Sequence, residues 1–421
     1  MLTTPNAPFE TYDVVVLGAG YAGLMASLRL GRRRLGLRVA LINAEEQFVE
    51  RVRLQEAMVA PVTPRIASLS DYLARTPVQF IAARALSLDP VRCRILIEAK
   101  GYAREIGFTQ LIYALGSHVD TSKALGASQY AYRLDTGEGL HSAAALRVAL
   151  HRLAGRPARV LAVGGGPLSI EAAGEVKSTW PEMDVTLVSA TRAGDFTSDK
   201  VQAVLRRDLR RLGVALVDNE RVSEIKASEV VTASGRHFAY DVCIWAAGMR
   251  APPIAREAGL TVDARDRVVV DTDLRSVSHP CILAVGDSAH PRGSTGAPFR
   301  PSALTAAVSG VYAAEQVAAK VAGKTISPFT FSTFAQAIAV GRFAALFPLD
   351  ANDHPILFVL GGRTARRLRD ILVWLVLHFI TLERLLPGVQ SWPGRKRGAS
   401  HPVAAASNPS PTHKSCADID G

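Results

Sequence analysis

Cysteine is scarce in this chain, and its spacing excludes several kinds of site. The sequence has four cysteines, Cys93, Cys243, Cys281 and Cys416, and none forms a Cys-x-x-Cys pair. No Cys/His cluster has the spacing of a metal site, so we predict no bound metal. Cys93, Cys243 and Cys281 lie in apolar, strand-like runs. These runs predict buried core thiols rather than a disulfide framework, which fits a reducing cytoplasm.

The chain also lacks a long hydrophobic run. Residues 1–9 have no basic start and no apolar segment, so we expect no signal peptide. Residues 371–382 form an apolar run that is interrupted by His378. As a helix this run would span about 18 Å, at about 1.5 Å per residue. Because a bilayer core needs about 20 apolar residues, the run cannot cross a membrane by itself.

Acidic residues are fewer than basic ones, which gives a formal net charge of +11. A basic balance suits anionic lipids or nucleic acid and does not choose between them. No basic stretch is interleaved with aromatic residues, so we expect no nucleic-acid partner. We interpret most of the excess basic residues as solvated surface residues, except for those in the C-terminal part.

Two glycine-rich turns are the most informative motifs that are present. Their small residues are Gly18, Gly20 and Gly23 in the first turn, and Gly164, Gly166 and Ser169 in the second. Each turn follows an apolar strand-like run and opens a helix-like one. Glycines in this context let backbone N–H groups approach a pyrophosphate at a helix N-terminus. Two such turns predict two dinucleotides, one held permanently and one visiting, as in a flavoprotein that is reduced by a nicotinamide.

The pattern around each turn alternates strand, helix and strand. The first unit comprises residues 14–17, 24–30 and 38–42, and the second comprises 159–163, 170–176 and 185–188. These βαβ units predict an α/β fold with two Rossmann-like, doubly wound dinucleotide-binding domains. Further apolar runs end at Gly116, at Gly248 and at Gly286-Asp287.

The order of these runs indicates that one domain is inserted in the other. The predicted units are a first nucleotide domain of residues 1–120 and 250–325, a second of 121–249, a C-terminal interface or membrane-associating region of 326–397 with an amphipathic helix, and a disordered tail of 398–421.

Together, these motifs resemble the flavoproteins with two dinucleotide-binding domains, most closely the branch of type II NADH dehydrogenases and apoptosis-inducing-factor-like proteins. The resemblance covers nearly the whole chain to about residue 390. It implies FAD in the first domain and NADH or NADPH in the second. The residues that it implies around FAD are Gly18, Gly20, Gly23, Arg51, Ala114, Gly116 and Asp287, and around the nicotinamide nucleotide Gly164, Gly166, Ser169 and Gly248.

The chain departs from the family pattern in several places. Asn43 stands where an acidic ligand of the FAD ribose is expected, and an amide can still bond a ribose hydroxyl. Ser169 replaces a glycine but is small enough for tight helix packing. The sequence lacks the redox cysteine pair of the disulfide-reductase branch, so we do not expect disulfide reduction.

The end of the second strand in the second unit bears on nucleotide preference. An acidic residue there would accept the ribose 2′-hydroxyl and repel a 2′-phosphate. This chain has Ser189, which cannot repel it, and Arg192, which can pair with a phosphate. The pattern favours NADPH or tolerance of both nucleotides. An ordinary loop arginine at position 192 is the alternative.

Glu171, on the first helical turn after the second glycine turn, is the candidate catalytic residue. The resemblance implies that a glutamate here lies beside the nicotinamide and flavin and takes part in proton or hydride traffic. The alternative is a carboxylate that only responds to the positive end of the helix dipole.

The C-terminal run is flanked by basic and aromatic residues, namely Arg363, Arg366, Arg367, Arg369, Arg384, Arg395, Lys396 and Arg397, with Trp374 and Trp392. This composition predicts a peripheral helix on the anionic inner face of the cell membrane, with the rest of the protein in the cytoplasm. A helix packed in a homodimer interface, or on its own domain, is the alternative.

A membrane location makes a lipid-soluble quinone the predicted electron acceptor. However, the glutamines of the family's quinone-site stretch are absent from residues 300–307. A soluble flavin reductase for a protein carrier or biosynthetic substrate, similar to a ferredoxin reductase, therefore stays open. A redox-sensitive binding protein similar to apoptosis-inducing factor is the alternative of another class.

Overall fold

The structure, a computed structural model, describes residues 10–33, 35–59, 67–135, 141–291, 301–331, 333–350, 354–356, 358–386 and 388–389. Outside these ranges lie the predicted tail 398–421, the first residue of the 300–307 stretch, and some residues named above, namely Trp392, Arg395, Lys396, Arg397 and Cys416.

The helices of the described residues alternate with strands for most of the chain. They are α1 (Tyr21–Arg33), α2 (Leu54–Ala57), α3 (Leu69–Leu73), α4 (Ala127–Tyr130), α5 (Ala143–Leu153), α6 (Pro167–Thr179), α7 (Asp199–Leu212), α8 (Ile254–Glu257), α9 (Ala303–Val321) and α10 (Gly362–Leu385), with 3₁₀ turns at Arg51–Arg53 and Gly286–Ser288.

The strands are β1 (Glu10–Leu17), β2 (Val39–Asn43), β3 (Gln47–Phe48), β4 (Ala67–Ser68), β5 (Gln79–Ala82), β6 (Arg84–Asp89), β7 (Arg94–Ala99), β8 (Tyr102–Tyr113), β9 (His118–Val119), β10 (Arg159–Val163), β11 (Asp184–Val188), β12 (Ala215–Val217), β13 (Val222–Ile225), β14 (Glu229–Thr232), β15 (His237–Ala239), β16 (Val242–Trp245), β17 (Met249–Arg250), β18 (Val268–Val270), β19 (Ile282–Ala284), β20 (Ala289–Pro291), β21 (Ala335–Val340), β22 (Phe343–Pro348) and β23 (Leu360–Gly361).

The first sheet has the order β5-β2-β1-β8-β7-β6, and β19 also pairs with β8. Strands β5, β2, β1, β8 and β19 are mutually parallel, whereas β7 and β6 are antiparallel. The end of β1, Val14 to Leu17, is buried throughout. A continuous apolar run of this kind suits a parallel strand that is covered on both faces.

The second sheet is parallel and has the order β12-β11-β10-β16. It lies in sequence between β8 and β19 of the first sheet. The chain leaves through β9 and returns through β17, and these two short strands pair antiparallel. This connectivity agrees with an insertion of one nucleotide-binding unit in the other. The exact domain boundaries stay a prediction.

Local sequence signals explain several helix ends. Helix α6 begins at Pro167, three residues before the predicted start, because proline suits the first turn of a helix. The Ser302 hydroxyl accepts a hydrogen bond from the Thr305 N–H at 3.0 Å and caps α9. Helix α7 ends at Leu212, and the next residue, Gly213, terminates it in the left-handed conformation with φ of +93°.

The C-terminal helix α10 has 24 residues, about twice the predicted run, because it begins within the arginine-rich segment. It packs on a small antiparallel sheet of β21, β22 and β23. Within the described part of the chain, no helix has the length and apolarity needed to cross a bilayer.

Candidate functional site

The first glycine turn joins β1 to α1 and is shaped by two close approaches. Gly18 has φ of +100°, and a Cβ there would meet the Ala114 carbonyl oxygen at 2.5 Å. A Cβ on Gly23 would lie 1.8 Å from the Gly18 oxygen. At Gly20, in contrast, no atom lies within 4 Å of an added Cβ. The turn therefore brings strand, helix and loop together and leaves open space in front of the helix N-terminus, where N–H groups have no partner within the helix.

This open cradle fits the pyrophosphate of a dinucleotide such as FAD. Asn43, predicted as a ribose ligand, accepts a hydrogen bond from the Ala19 N–H at 2.9 Å. Its amide nitrogen donates to the Glu45 carbonyl at 2.8 Å. The side chain thus braces the glycine turn from the end of β2. A bond to ribose would use the remaining lone pair of its oxygen.

Arg51, Gly116 and Asp287 come together although they are far apart in sequence. The Arg51 guanidinium donates to the Ser117 carbonyl oxygen at 2.9 Å. The Ser117 hydroxyl donates to the Asp287 carboxylate at 2.9 Å. Gly116 adopts φ of +68° between them. Ser117 was missed in the sequence, and its position directly after Gly116 was the available signal.

The second glycine turn joins β10 to α6 and repeats the first in its packing. Gly164 has φ of +135°, and a Cβ there would meet the Ala246 oxygen at 2.7 Å. Gly166 faces open space. Ser169 is fully buried, and its hydroxyl donates to the Gly166 carbonyl at 2.9 Å. The serine thus fits the third glycine position and ties the helix to its own turn.

Ser189 and the loop after it lie against the same turn. A Cβ on Gly165 would meet the Ser189 hydroxyl oxygen at 2.2 Å. The Gly194 N–H donates to the Gly165 carbonyl at 3.0 Å, which folds the loop of Arg192 onto the turn.

Arg192 is exposed and borders an open pocket of about 660 Å³. The other arginines of the pocket come from α7, namely Arg206, Arg207, Arg210 and Arg211. Arg206 forms a two-pronged ion pair with Asp218 at 2.9 and 2.6 Å, so its charge is already compensated. The pocket is rich in arginine, with Asp199 as its acidic lining residue, and the Gly194–Gly165 hydrogen bond connects the loop of Arg192 to the glycine turn.

Gly248 adopts φ of +120° beyond β16. The Lys123 ammonium lies 2.5 Å from the position of an added Cβ on Gly248. The Lys123 amine therefore lies over the backbone of Gly248, a predicted nucleotide contact. Sequence reasoning did not identify Lys123.

Glu171 lies on α6, and its side chain is 14% exposed. The Ala339 N–H of β21 donates to its carboxylate at 3.0 Å. An Arg369 nitrogen lies 4.0 Å from the same oxygen. Burial raises the pKa of Glu171 to about 7, against the opposing pull of Arg369 and of the Ala339 hydrogen bond.

Glu171 belongs to an interior network that sequence reasoning did not foresee. Its members are Glu56 of α2, Glu171 and Glu175 of α6, and Arg366 and Arg369 of α10. Arg369 pairs with Glu56, and Arg366 bridges Glu56 and Glu175. Burial opposes ionisation of Glu56, but Arg369 and Arg53 outweigh it and hold its pKa below the ordinary value. Three regions of the chain therefore meet at Glu171.

This network corrects the prediction that Arg366 and Arg369 face a membrane. The Arg369 side chain is 5% exposed and that of Arg366 18%, and both point into the protein. Each would have contributed about 1 kcal/mol of attraction to an anionic surface. Arg363 and Arg367 are the arginines of this cluster that stay exposed.

The outer side of α10 exposes large apolar side chains. We name Leu368, Ile371, Leu372, Trp374 and Leu375 the outer strip. Trp374 is 55% exposed, and its ring stacks on His378 with centroids 3.8 Å apart. The opposite side is fixed at its far end by Glu383, which pairs with Arg29 of α1 in the interior.

Comparison with known proteins gives the family. The family model for pyridine nucleotide-disulphide oxidoreductases matches residues 12–315. The chain is similar to an NADH dehydrogenase-like protein of Mycobacterium tuberculosis, with 29% identity over 301 residues that cover 66% of this chain and 73% of the relative. It is also similar to an alternative NAD(P)H-ubiquinone oxidoreductase of Arabidopsis thaliana, with 25% identity over 383 residues, covering 80% of this chain and 72% of the relative.

Among solved structures, the sulfide:quinone oxidoreductase of Aquifex aeolicus superposes with a TM-score of 0.74. The identity is 16%, and the match covers 90% of this chain and 95% of that one, so this likeness bears on the fold alone. It agrees with a mixed α/β flavoprotein fold with Rossmann-like sheets. By the family match and the two nucleotide turns, the chain belongs to the pyridine nucleotide-disulphide oxidoreductase family, and it is an NAD(P)H-dependent flavin oxidoreductase.

Proposed function

We propose that this protein is an FAD-dependent NAD(P)H dehydrogenase that passes two electrons to a quinone at the cytoplasmic face of a membrane. The observation that carries the proposal is the meeting of three segments around Glu171. These are the Arg51–Glu56 segment beside the predicted flavin region, helix α6 after the second glycine turn, and helix α10 with its outer strip. An acceptor that arrives along α10 would reach the place where the two nucleotides are predicted to meet.

In this proposal, each of the two nucleotide units binds a different cofactor. Residues 1–120 and 250–325 would hold FAD, through the open turn at Gly20 and the polar groups of Arg51 and Asp287. Residues 121–249 would hold NAD(P)H, through the turn at Gly166. FAD, when bound, would accept the hydride from NAD(P)H and pass the electrons onward. The chain itself supplies orientation, exclusion of water and a proton-carrying group.

Glu171 is the candidate for that proton-carrying group. Reduction of a quinone consumes two protons, and a carboxyl group with a pKa of about 7 holds or releases a proton with equal ease near neutral pH. Because Arg369 and the Ala339 N–H fix its carboxylate, Glu171 would present this proton at one place.

The nucleotide preference that we propose is NADPH, or both nucleotides. Ser189 brings no negative charge to the end of β11, so it does not repel a 2′-phosphate. Arg192 borders the basic pocket, and its loop is hydrogen-bonded to the second glycine turn through Gly194. A 2′-phosphate in that pocket would gain charge-assisted hydrogen bonds that NADH cannot make.

The outer strip of α10 supports attachment to a membrane surface. Its apolar side chains are exposed to solvent. The helix has too few apolar residues to cross a bilayer. The exposed Arg363 and Arg367 lie at the start of the same helix. Apolar residues with nearby basic groups favour a helix that lies in the interface of an anionic bilayer.

The test is an anaerobic titration of the purified protein with NADPH and with NADH while the flavin absorbance is recorded. We expect bound FAD to bleach with one or both nucleotides. Addition of a ubiquinone or menaquinone analogue should then restore the absorbance in seconds.

Three outcomes would contradict the proposal. Reoxidation by a ferredoxin-type carrier but not by quinones would favour the soluble reductase. A flavin that neither nucleotide reduces, in a protein that binds DNA in a salt-sensitive manner, would favour the binding-protein alternative. Absence of flavin would show that the turn at Gly18 and the contact at Asp287 had been misinterpreted.

A further inference from the structure

Two cysteines that are 188 positions apart in sequence meet beside strand β8 of the first sheet. The Sγ atoms of Cys93 and Cys281 lie 4.0 Å apart. Cys93 is buried, as predicted. Cys281 is partly exposed, so the prediction that Cys281 is a buried thiol is wrong.

The sheet topology explains why these residues face each other. Strand β7 begins opposite Gly107 of β8, and β19 begins opposite Leu111 of the same strand. Cys93 comes directly before β7, and Cys281 comes directly before β19. Because β7 is antiparallel to β8 and β19 is parallel, their starts point at each other across a short gap.

Both cysteines are held in place by their backbones. The Cys93 carbonyl accepts a hydrogen bond from the Phe108 N–H at 3.0 Å, and the Cys281 carbonyl accepts one from the Leu111 N–H at 3.0 Å. Since both partners belong to β8, one rigid strand fixes the separation of the two thiols. The turn before β7 is also stiffened, because Asp89 accepts hydrogen bonds from the N–H groups of Val91 and Arg92.

We propose that Cys93 and Cys281 form an oxidation site, in which a hydroperoxide converts the two thiols into a reversible disulfide. The thiolate of Cys281, the more exposed of the two, attacks a peroxide oxygen and becomes a sulfenic acid. The thiol of Cys93 then attacks that sulfur, and the S–S bond forms as water leaves. The two thiols lose two electrons in total, and hydrogen peroxide is reduced to two water molecules.

The bond would fasten β19 to the turn between β6 and β7. Strand β19 leads directly to Gly286 and Asp287, so the cross-link would fix the base of the segment that carries Asp287. The required movement is small, because an S–S bond is about 2 Å long and side-chain rotation can close much of the 4.0 Å separation. A cross-link between such distant positions also restricts the unfolded chain strongly.

The experiment treats the full-length protein with a few equivalents of hydrogen peroxide and analyses it without reduction. We expect a mass loss of about 2 Da from the loss of two hydrogens and a linked peptide that joins the two cysteine segments. A protease other than trypsin is needed because Arg92 and Arg94 flank Cys93. The thermal midpoint should rise by about 4 °C and return after treatment with dithiothreitol.

Matched variants make the result decisive. Cys93→Ser and Cys281→Ser should each abolish the linked peptide and the thermal shift. Cys243→Ser should keep both, because Cys243 is fully buried and burial raises the pKa of its thiol. Cys416→Ser should also keep both. The proposal is overturned if the wild type keeps its mass, if the linked peptide contains Cys416 instead, or if Cys93→Ser shows the same shift.

Discussion

At the scale of single residues, Glu171 depends on two opposed influences. Burial, together with the nearby Glu175 and Glu56 carboxylates, favours the protonated acid, whereas Arg369 at 4.0 Å and the Ala339 N–H favour the carboxylate. Burial is the larger of these influences, and the pKa rises to about 7. A carboxyl group with this pKa can exchange a proton at neutral pH, and an exposed glutamate cannot do so with the same ease.

Replacing Glu171 with glutamine keeps the shape and removes the exchangeable proton. We expect steady-state quinone reduction to fall about 100-fold, which is typical for loss of a general acid–base group. Flavin reduction by NAD(P)H in a single turnover should change far less. Stopped-flow absorbance separates the two steps. Glu98→Gln, at an exposed carboxylate of β7, is the matched control. Equal slowing of both steps would show that Glu171 acts in nucleotide binding or in folding instead.

Arg192 gives the second prediction at this scale. Arg192→Ala should raise the Kd of NADP⁺ about 10-fold, because a charge-assisted bond to phosphate is lost, and should leave the Kd of NAD⁺ nearly unchanged. Binding can be followed by titration of the oxidised protein with NADP⁺ and NAD⁺. Arg152→Ala, at an exposed arginine of α5 that does not line this pocket, is the control. The same loss for both nucleotides would rule out a contact with the 2′-phosphate.

At the scale of elements, α10 has two sides with separate roles. Its inner side is fixed near the start by Arg366 and Arg369 and near the end by Glu383, which pairs with Arg29. Ion pairs at both ends hold the helix against the body of the protein. The outer strip is consequently presented as a fixed apolar surface.

This arrangement predicts that single charges on the outer strip weaken membrane attachment without unfolding the protein. Ile371→Glu or Leu375→Glu should reduce co-sedimentation with phosphatidylglycerol vesicles at least several-fold, because a charge must then enter the apolar boundary. Val321→Glu places the same charge at an exposed apolar residue of α9 and should have no effect. If both outer-strip variants still co-sediment with vesicles, the outer strip does not bind the membrane. It would then be a homodimer interface or a surface without a partner.

At the scale of the whole molecule, the interior network joins three regions. It links α2 of the first nucleotide unit, α6 of the second and α10 of the C-terminal region. Burying these charges costs solvation, which their mutual pairing offsets. Removing one charged side chain of the network should therefore weaken the contacts of all three regions.

Arg369→Met should lower the stability of the whole protein and change its pH dependence. Breaking a buried pair costs about 3–5 kcal/mol, so the thermal midpoint should fall. In the wild type, the pKa of Glu171 is raised from 4.5 to about 7, so the contribution of this group to stability decreases as pH rises between these values. Without Arg369 the pKa rises further, and the decrease should continue to higher pH.

Thermal midpoints measured from pH 5 to 9 by calorimetry would test this prediction. Arg363→Met, at an exposed arginine of the same helix, is the control. Glu171→Gln should remove the pH dependence that is assigned to Glu171. An unchanged pH profile in Arg369→Met would mean that Arg369 does not act on Glu171.

Local sequence was sufficient for much of the nucleotide-binding architecture. The turns at Gly18 and Gly164 are recognisable because a glycine at positive φ must lie between an apolar strand and a helix, and this requirement is visible in a short stretch of sequence. The start of α6 at Pro167 was displaced by only three residues, since helix ends depend on single residues. The resemblance, rather than a local pattern, placed Arg51 and Asp287 near one site, whereas Ser117, which bonds both of them, was not expected.

The sequence by itself determined the α/β fold, the two nucleotide turns and the family, because periodicity and turn chemistry are local properties. Only the tertiary structure decided which side of α10 its arginines face, which groups surround Glu171, and that Cys93 and Cys281 meet beside β8. The physical reason is that burial and ion pairing depend on contacts between residues that are far apart in sequence. An arginine that faces a membrane and an arginine that pairs with a buried glutamate look the same in the sequence, and only the fold distinguishes them.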